Sequence, residues 1–270
     1  MRAAHELASV PWAASLIAAT THIMAKLQVG LSDKAAYSAD PVSEGERGLL
    51  FEVRFAAALA QSGAEAEYEF HAGMGDTTVD FKVHGDPPVL LELVRLGASD
   101  AVRGATTITD HGWETILSTD AADPARSEEG ELIKAQERIG EKAFRRSVGP
   151  IKFPAPEGQL NVILVEGRGY LGDGNGDTLD WQQVMLGGGG IWEKSWTNPR
   201  TGERTPIVGL FDEACPTEAS ATMRDRIHAV GFACEQRFDL SELRAGLTLV
   251  TNPRFDPEPI AARMSGMLGL

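Results

Sequence analysis

The chain has 270 residues, of which 43% are hydrophobic and 24% are charged, and its formal net charge at pH 7 is −14. This profile is typical of a globular protein and argues against a disordered, collagen-like or membrane-spanning chain, since no stretch approaches the roughly 18 to 20 unbroken apolar residues of a spanning helix. The net negative charge argues against a protein that coats nucleic acid by charge alone, although a divalent metal could supply positive charge locally.

The N-terminal part of the chain predicts a helical extension. Residues 1–28 are rich in alanine with spaced apolar side chains, which predicts one or two helices, and Leu31 to Gly45 has the Ser, Asp, Pro and Gly content of a linker. We therefore divide the chain into an extension with its linker, residues 1–42, and a main domain, residues 43–270. The apolar stretch Pro11 to Thr20 is not preceded by the basic run of an export signal, so we expect a cytoplasmic protein without a membrane anchor.

The main domain is predicted to begin with a long helix from about residue 44 to 62. Ser43 and Glu46 form a capping box, apolar residues then recur at helical spacing, and Gly63 ends the helix. After this helix the apolar residues recur at every second position, which predicts β-strands. These strands lie around Tyr68 and Phe70, from Val79 to Val83, and from Val89 to Leu96.

The second half interleaves further helices and strands, which indicates an α/β or α+β domain with a mixed central β-sheet flanked by helices. Gly97 to Arg126 is poorly patterned and predicts a loop with a short helical piece, whereas Ser127 to Arg146 predicts a second strong helix. The remaining predicted elements are strands at Leu160–Val165, Thr205–Phe211 and Leu247–Thr251, and a helix from about Thr217 to Val230 that ends at Gly231.

Motifs of several common site types are incomplete. Cys215 and Cys234 have neither CxxC spacing nor histidines at zinc intervals, which argues against a disulfide framework or a zinc knuckle. Gly167 to Gly172 fits the dinucleotide fingerprint formally, but the glycines and aspartates that follow do not predict the helix that should bind a pyrophosphate. Neither pattern therefore predicts a site.

A predicted β-hairpin brings two acidic side chains together. If its turn is centred on Asp86, Asp80 and Glu92 face each other, and facing residues of an antiparallel pair lie about 4.5 to 5.5 Å apart at Cβ. Alternation places Lys82 on the same face as the two acids. The other face of the first strand is predicted to carry Val79, Phe81 and Val83.

Two carboxylates at this distance in a half-buried sheet need a proton or a cation between them. Mg²⁺ or Mn²⁺ suits such a position because it binds a few carboxylate or carbonyl oxygens and keeps water ligands, and it can promote phosphodiester hydrolysis. The alternative is that Asp80 caps a strand end while Glu92 pairs with Lys82 or an arginine. Acids are uncommon within an apolar run such as Leu90 to Leu96, which favours the metal site.

The order of these features resembles the PD-(D/E)XK nuclease superfamily, which has the restriction-endonuclease-like fold. The resemblance covers roughly residues 44–165: a helix with a glutamate, a strand with an aspartate before an aromatic residue, a turn, an apolar strand with a central glutamate, and a charged helix. It implies that Glu52 is the first acid of the site and that Asp80 and Glu92 are metal ligands. The backbone carbonyl of Leu93 is implied as a further ligand.

The chain departs from the superfamily pattern at the lysine of the third motif, because Val94 occupies that position. Lys82 is the first candidate for a lysine that has migrated within the site. Glu46 competes with Glu52 for the role of first acid, although Glu52 is closer to the superfamily spacing. In the superfamily the charged helix after the third motif often lends a glutamine or lysine, and here it offers Lys134, Gln136 and Lys142.

The resemblance implies a metal-dependent hydrolase that cleaves phosphodiester bonds in DNA with Mg²⁺ or Mn²⁺. Two alternatives stay open. Without its lysine the fold could serve as a catalytically inactive binding or assembly module, and the acidic balance agrees with that role. The third hypothesis is an acidic protein that docks on a basic partner, which burial of Glu92 would exclude. The choice between DNA and RNA, and the presence of a protein partner or a homodimer, are left open by the sequence.

Overall fold

The structure is a computed structural model that describes residues 2–32, 43–109, 112–117, 127–167, 170, 178–188, 194–233 and 246–268. Its helices are α1 Arg2–Leu7, α2 Ala14–Ser32, α3 Glu44–Gln61, α4 Asp100–Ala105, α5 Glu128–Gly140, α6 Thr178–Leu186, α7 Glu218–Arg226 and α8 Pro257–Leu268, with a 3-10 turn at Pro11–Ala13. Its strands are β1 Ala66–Phe70, β2 Val79–Val83, β3 Val89–Arg95, β4 Thr106–Thr109, β5 Gly112–Thr115, β6 Phe144–Arg145, β7 Gly149–Pro150, β8 Leu160–Glu166, β9 Ser195–Thr197, β10 Arg204–Pro206, β11 Ala229–Ala233 and β12 Leu247–Thr251.

A six-stranded mixed sheet with the order β1-β2-β3-β8-β11-β12 forms the centre of the described chain. Strands β1 to β3 are antiparallel, β8 runs parallel to both β3 and β11, and β12 is antiparallel to β11. Nearly all residues of β3 and β8 are buried, which explains their continuous apolar runs because a strand covered on both faces has no solvent side. The predicted α/β class with a mixed central sheet is confirmed.

Two hydrophobic clusters cover the two faces of this sheet. The first joins Phe55 of α3 to Leu91 of β3 and Met264 of α8. The second joins Leu132 of α5, Trp181 of α6 and the opposite face of the strands. Each fully buried side chain of this size stabilises the fold by roughly 1.5 to 3 kcal/mol. The sheet is therefore held rigidly from both sides, which fixes the side chains that project from its strands.

The N-terminal helices pack into the first of these clusters. Leu7, Ala13 and Leu16 are buried there together with residues of α3, and the ring of Trp12 meets that of Phe81 edge-on at 6.3 Å between centroids. The boundary predicted at residue 42 lies outside the described residues. The N-terminal helices thus share the core of the main sheet.

Helix α3 begins at the predicted capping box. The Ser43 hydroxyl accepts a hydrogen bond from the Glu46 backbone N–H at 3.3 Å, and the Glu46 carboxylate accepts one from the Ser43 N–H at 2.7 Å. These contacts satisfy two backbone donors that have no partner inside the helix, a gain of about 1 kcal/mol. The predicted start of this helix is confirmed.

The buried side chains of strand β2 lie in different hydrophobic clusters before and after Asp80. Its pairing with β3 runs from Val83 opposite Val89 to Phe81 opposite Leu91. Phe81 and Val83 lie in the cluster beneath α3, whereas Val79 lies in the cluster beneath α5. The prediction that these three residues share one face is therefore wrong. Asp80 lies between them, directly after the last β2–β3 pair, Phe81 with Leu91, and so at the junction of the two strands.

Several predictions for the second half of the chain are wrong in extent. The predicted strand Thr205–Phe211 ends at Pro206, whose ring nitrogen has no hydrogen to donate, and the buried residues after it lie in turns. Gly231 does not end a helix: α7 ends at Arg226, and Gly231 is buried in β11. A Cβ at that glycine would lie 2.6 Å from a methyl group of Leu164, so strand packing explains the glycine.

Other elements were not predicted or have shorter bounds. The helix predicted for Ser127–Arg146 ends at Gly140 and is followed by a turn. The stretch from Gly97 to Arg126 contains the predicted short helical piece, α4, but its paired strands β4 and β5 were not predicted. Helices α6 and α8 had no prediction.

Two further expectations concern the cysteines and the membrane. Cys215 is a buried free thiol, and Cys234 lies outside the described residues. No helix in the described ranges has the length and apolar character needed to cross a membrane.

Candidate functional site

Glu52, Asp80 and Glu92 lie together where β2 separates from β3, and we call them the carboxylate cluster. Each comes from a different element: Glu52 from α3, Asp80 from β2 and Glu92 from β3. The negative charges of Glu92 and Glu52 both act on the Asp80 carboxyl group and raise its pKa. The structure thus brings together the three acids that the sequence singled out.

Glu92 is completely buried and is bound by two lysines. Lys142 lies two residues beyond α5, and Lys152 lies two residues beyond β7. Their ammonium nitrogens approach the same oxygen, Glu92 Oε1, at 2.8 and 2.6 Å. The other oxygen, Oε2, is buried and accepts no hydrogen bond from the described residues. Because a buried carboxylate oxygen is costly to leave without a partner, this atom is suited to a further cation.

The charges of the two lysines act on different carboxyl groups of the cluster. Lys142 contributes a positive charge that lowers the pKa of Glu52, whereas Lys152 acts in the same way on Asp80. Both side chains are only partly exposed, 29% for Lys142 and 18% for Lys152. Each of the other two carboxylates is therefore near a different lysine.

Asp80 is held by the backbone of β3. Its Oδ2 atom accepts a hydrogen bond from the Leu93 N–H at 2.6 Å. Burial raises the pKa of Asp80 well above its ordinary value, the neighbouring charges of Glu92 and Glu52 raise it further, and the Leu93 hydrogen bond opposes the shift. This carboxyl group consequently favours either a proton or a bound cation.

Glu52 accepts a hydrogen bond from the Tyr68 hydroxyl at 2.7 Å, donated across from β1. Burial raises the pKa of Glu52, and the charge of Glu92 adds to this rise, while the Tyr68 hydrogen bond lowers it. The pKa of Tyr68 is itself raised by burial and by the Glu52 charge, so the hydroxyl keeps its proton. Tyr68 was not predicted as a site residue, because its hydrogen bond with Glu52 joins α3 to β1 and has no signal in the residue spacing.

The structure places Lys82 outside the carboxylate cluster, contrary to the prediction. Lys82 is directly opposite Glu67 in the β1–β2 pair and forms an ion pair with it at 3.0 Å. Its ammonium group also lies 4.3 Å from the centroid of the Phe70 ring. Lys82 does lie opposite Leu90, on the face that strand alternation predicted, but the neighbouring strand β1 provides a nearer acidic partner in Glu67.

The accessory candidates contact different parts of the structure. Lys134 forms an ion pair with Glu131 on the preceding turn of α5, at 2.6 Å. The Gln136 amide donates to the carbonyls of Val184 and Val208, which makes it a link between α5 and the adjacent segments. Glu46 is engaged in the capping box of α3. Lys142 contacts the carboxylate cluster, because its ammonium group donates to Glu92.

Lys152 was missed by the sequence reasoning. A signal was present, since Lys152 stands between two buried residues, Ile151 and Phe153, in a short apolar run. A lysine in such a position needs an anionic partner, but spacing could not identify Glu92, which is 60 residues away.

An open cleft of about 680 Å³ adjoins the carboxylate cluster. It runs between the start of α3, the end of β3, the start of α4 and one face of α5. Glu52 and Lys142 lie on its wall, whereas Asp80, Glu92 and Lys152 do not, so the cluster borders the cleft through Glu52. The residues on the cleft wall that carry charge are Glu52, Arg95, Arg103, Glu131, Lys134, Glu137, Arg138 and Lys142.

Burial of Glu92 excludes one of the three hypotheses. A carboxylate with 0% exposure cannot dock on the surface of a basic partner, so the cluster is not a patch of surface charge. In the part of the chain that the structure describes, no group of three or more His, Cys, Asp or Glu side chains has the arrangement of a metal centre. A magnesium site here would use one or two carboxylates with water and substrate oxygens, which is how proteins commonly bind this ion.

Comparison with protein-family models, with curated proteins and with solved structures finds no match for this chain.

Proposed function

We propose that this protein is a metal-dependent nuclease with a restriction-endonuclease-like fold that hydrolyses phosphodiester bonds in DNA. The observation that carries the proposal is the junction of β2 and β3, where Asp80 and Glu92 meet beside two lysines and one further acid. Acids and lysines in one partly enclosed site are the groups needed to bind a cation, orient water and stabilise charge on phosphorus.

The residues present fit a hard divalent cation. Glu92 Oε2 is a buried oxygen without a hydrogen-bond partner among the described residues, and burial together with like charges raises the pKa of Asp80. Asp80 and Glu92 would hold Mg²⁺ or Mn²⁺, and the backbone carbonyl of Leu93 is a third candidate ligand. When bound, such an ion supplies Lewis-acid polarisation of the phosphate and acidification of water.

The other side chains then have distinct roles. Lys142 borders the cleft, so its ammonium group is placed to bind a phosphate oxygen of the substrate and stabilise the charge that develops there. Lys152, whose charge acts on Asp80, holds the Glu92 carboxylate in position. Glu52, whose pKa is raised, is suited to accept a proton from the attacking water, with Tyr68 fixing its orientation.

The experiment that tests this proposal measures cleavage of plasmid DNA and of a labelled single-stranded oligonucleotide in Mg²⁺ or Mn²⁺, and cleavage of either substrate supports it. We expect Asp80→Asn and Glu92→Gln each to lower the rate by at least about 100-fold, the typical effect of removing a group that acts on the transition state. Glu67→Gln is the matched control, because Glu67 is an exposed acid of β1 that pairs with Lys82. Equal rates for the wild type, both site variants and the control would refute the assignment.

One observation favours a second candidate, a nuclease fold that binds without cleaving. Lys142 and Lys152 already neutralise Glu92 without any metal, because both donate to its Oε1 atom. Under this alternative, the two lysines permanently replace the cation. Calorimetric titration with Mn²⁺ separates the two functions, since a non-catalytic module shows no binding that depends on Asp80.

A further inference from the structure

We propose that the cleft binds a single strand of nucleic acid and does not admit an intact duplex. This inference rests on the proposed nuclease function and assigns its substrate class. It follows from the size of the cleft, from the cations along one of its walls, and from a buried hydroxyl group on its lining.

The size of the cleft limits what can reach the carboxylate cluster. Its volume of about 680 Å³ lies within the range of about 300 to 1,000 Å³ for pockets that enclose small ligands, which is room for one or two nucleotides. The major groove of a duplex is by itself about 12 Å wide, so the whole duplex is far larger than this space. Because Glu52 and Lys142 lie on the cleft wall, a phosphate that reaches the carboxylate cluster from this side must enter the cleft.

Cations line one wall of the cleft at regular spacing. Lys134, Arg138 and Lys142 are four residues apart, and the first two lie on one face of α5. Four residues of helix span about 6 Å, a step comparable to the separation of successive phosphates along one strand. Arg103 also lines the cleft. This series of positive charges leads to the carboxylate cluster in a chain whose net charge is −14.

Two of these cations, Arg138 and Arg103, can change partners. Arg138 contacts Glu141 at 3.3 Å, and the two side chains are 62% and 60% exposed. Arg103 contacts Asp100 at 2.6 Å, with exposures of 56% and 98%. Ion pairs this exposed contribute little stability, so a phosphate can replace the carboxylate with only a small loss.

Tyr170 supplies an independent indication of a ligand. It lines the same cleft, its side chain is 2% exposed, and its ring stacks on Trp181 with centroids 5.6 Å apart. Its hydroxyl group is buried and has no hydrogen-bond partner among the described residues. Buried hydroxyl groups almost always have a partner, and a polar group of a nucleotide sugar or base would provide one here.

The test compares a fluorescent single-stranded oligonucleotide with the duplex of the same sequence, using the full chain. Binding is followed by fluorescence anisotropy in EDTA at several salt concentrations, and cleavage is followed in Mn²⁺. We expect the single strand to bind at least tenfold more tightly. Arg138→Gln should weaken its binding several-fold and reduce the slope of log K against log salt by about 0.7. Tyr170→Phe should weaken binding without changing that slope.

The control is Arg146→Gln, which removes an exposed arginine that does not line this cleft. Equal affinity for duplex and single strand, or equal effects of Arg138→Gln and Arg146→Gln, would overturn the inference. Metal-dependent cleavage that is lost in Asp80→Asn but shows no preference for a single strand would refute the inference alone. Absence of cleavage on every substrate, with the binding preference retained, would refute the nuclease function alone.

Discussion

The same chemical change, from carboxylate to amide, should have opposite effects on stability at two neighbouring positions of the carboxylate cluster. Glu92 is fully buried and accepts hydrogen bonds from two ammonium groups. Asp80 accepts a backbone hydrogen bond from Leu93, and burial and the charges of Glu92 and Glu52 raise its pKa. We therefore expect Glu92→Gln to destabilise the metal-free protein and Asp80→Asn to stabilise it.

The contacts of Glu92 set the magnitude. At the observed 2.8 Å from Lys142, the Coulomb attraction at an effective dielectric constant of about 20 is about 6 kcal/mol before desolvation is considered. Desolvation offsets much of this, and loss of one member of a buried ion pair typically lowers the free energy of unfolding by about 3 to 5 kcal/mol. For Asp80→Asn we expect an increase of about 0.5 to 2 kcal/mol, because the amide keeps the acceptor for Leu93 and removes the repulsion.

Urea denaturation at pH 7 in EDTA measures both effects, through shifts of the midpoint at constant m-value. The matched control is Glu67→Gln, whose carboxylate is 46% exposed and should change the free energy of unfolding by less than about 0.5 kcal/mol. A destabilised Asp80→Asn protein, or a Glu92→Gln protein as stable as the wild type, would refute the charge balance that we assign to the cluster.

Three further predictions concern pH and the neighbours of the cluster. The pKa of Asp80 is higher in the folded state than in the unfolded chain, so the stability of the wild type in EDTA should fall relative to that of Asp80→Asn as the pH rises from about 4. Above the folded pKa the difference in stability between the two proteins should be constant. Denaturation curves that show the same difference at every pH would contradict this prediction. Lys142→Gln should lower kcat and weaken DNA binding, because Lys142 borders the cleft. Lys152→Gln should mainly lower kcat and stability, because Lys152 holds Glu92. Identical kinetics of the two variants would contradict these separate roles. Tyr68→Phe removes a hydrogen bond that lowers the pKa of Glu52, so the acidic limb of the pH–rate profile should move to higher pH. An acidic limb at the same pH as in the wild type would show that the protonation of Glu52 does not determine this limb.

Local patterns in the sequence were sufficient to predict the parts of the fold near the site. The capping box at Ser43 placed the start of α3, and the symmetric turn around Asp86 gave the β2–β3 register that pairs Lys82 with Leu90. Asp80 and Glu92 come directly after the last pair of this register, Phe81 with Leu91, where the Asp80 carboxylate accepts a hydrogen bond from the Leu93 N–H. These features depend on residues that are close in sequence, so spacing alone determines them.

The cations of the site could not be predicted in the same way. Lys82 was the nearest lysine in sequence, but Glu67 lies opposite it on β1, and the period of β1 alone does not define that pairing. The lysines that bind Glu92 are 50 and 60 residues away in sequence. Their positions depend on how the segment after α5 returns to the sheet, which is a property of tertiary packing.

The central claim is that Asp80 and Glu92 together bind a hard divalent cation. Isothermal titration of the full chain with Mn²⁺ tests it directly and does not require a substrate. We predict one site per chain that is lost in Asp80→Asn and in Glu92→Gln and retained in Glu67→Gln. Manganese binding that is absent from the wild type, or equal in all four proteins, would contradict the claim.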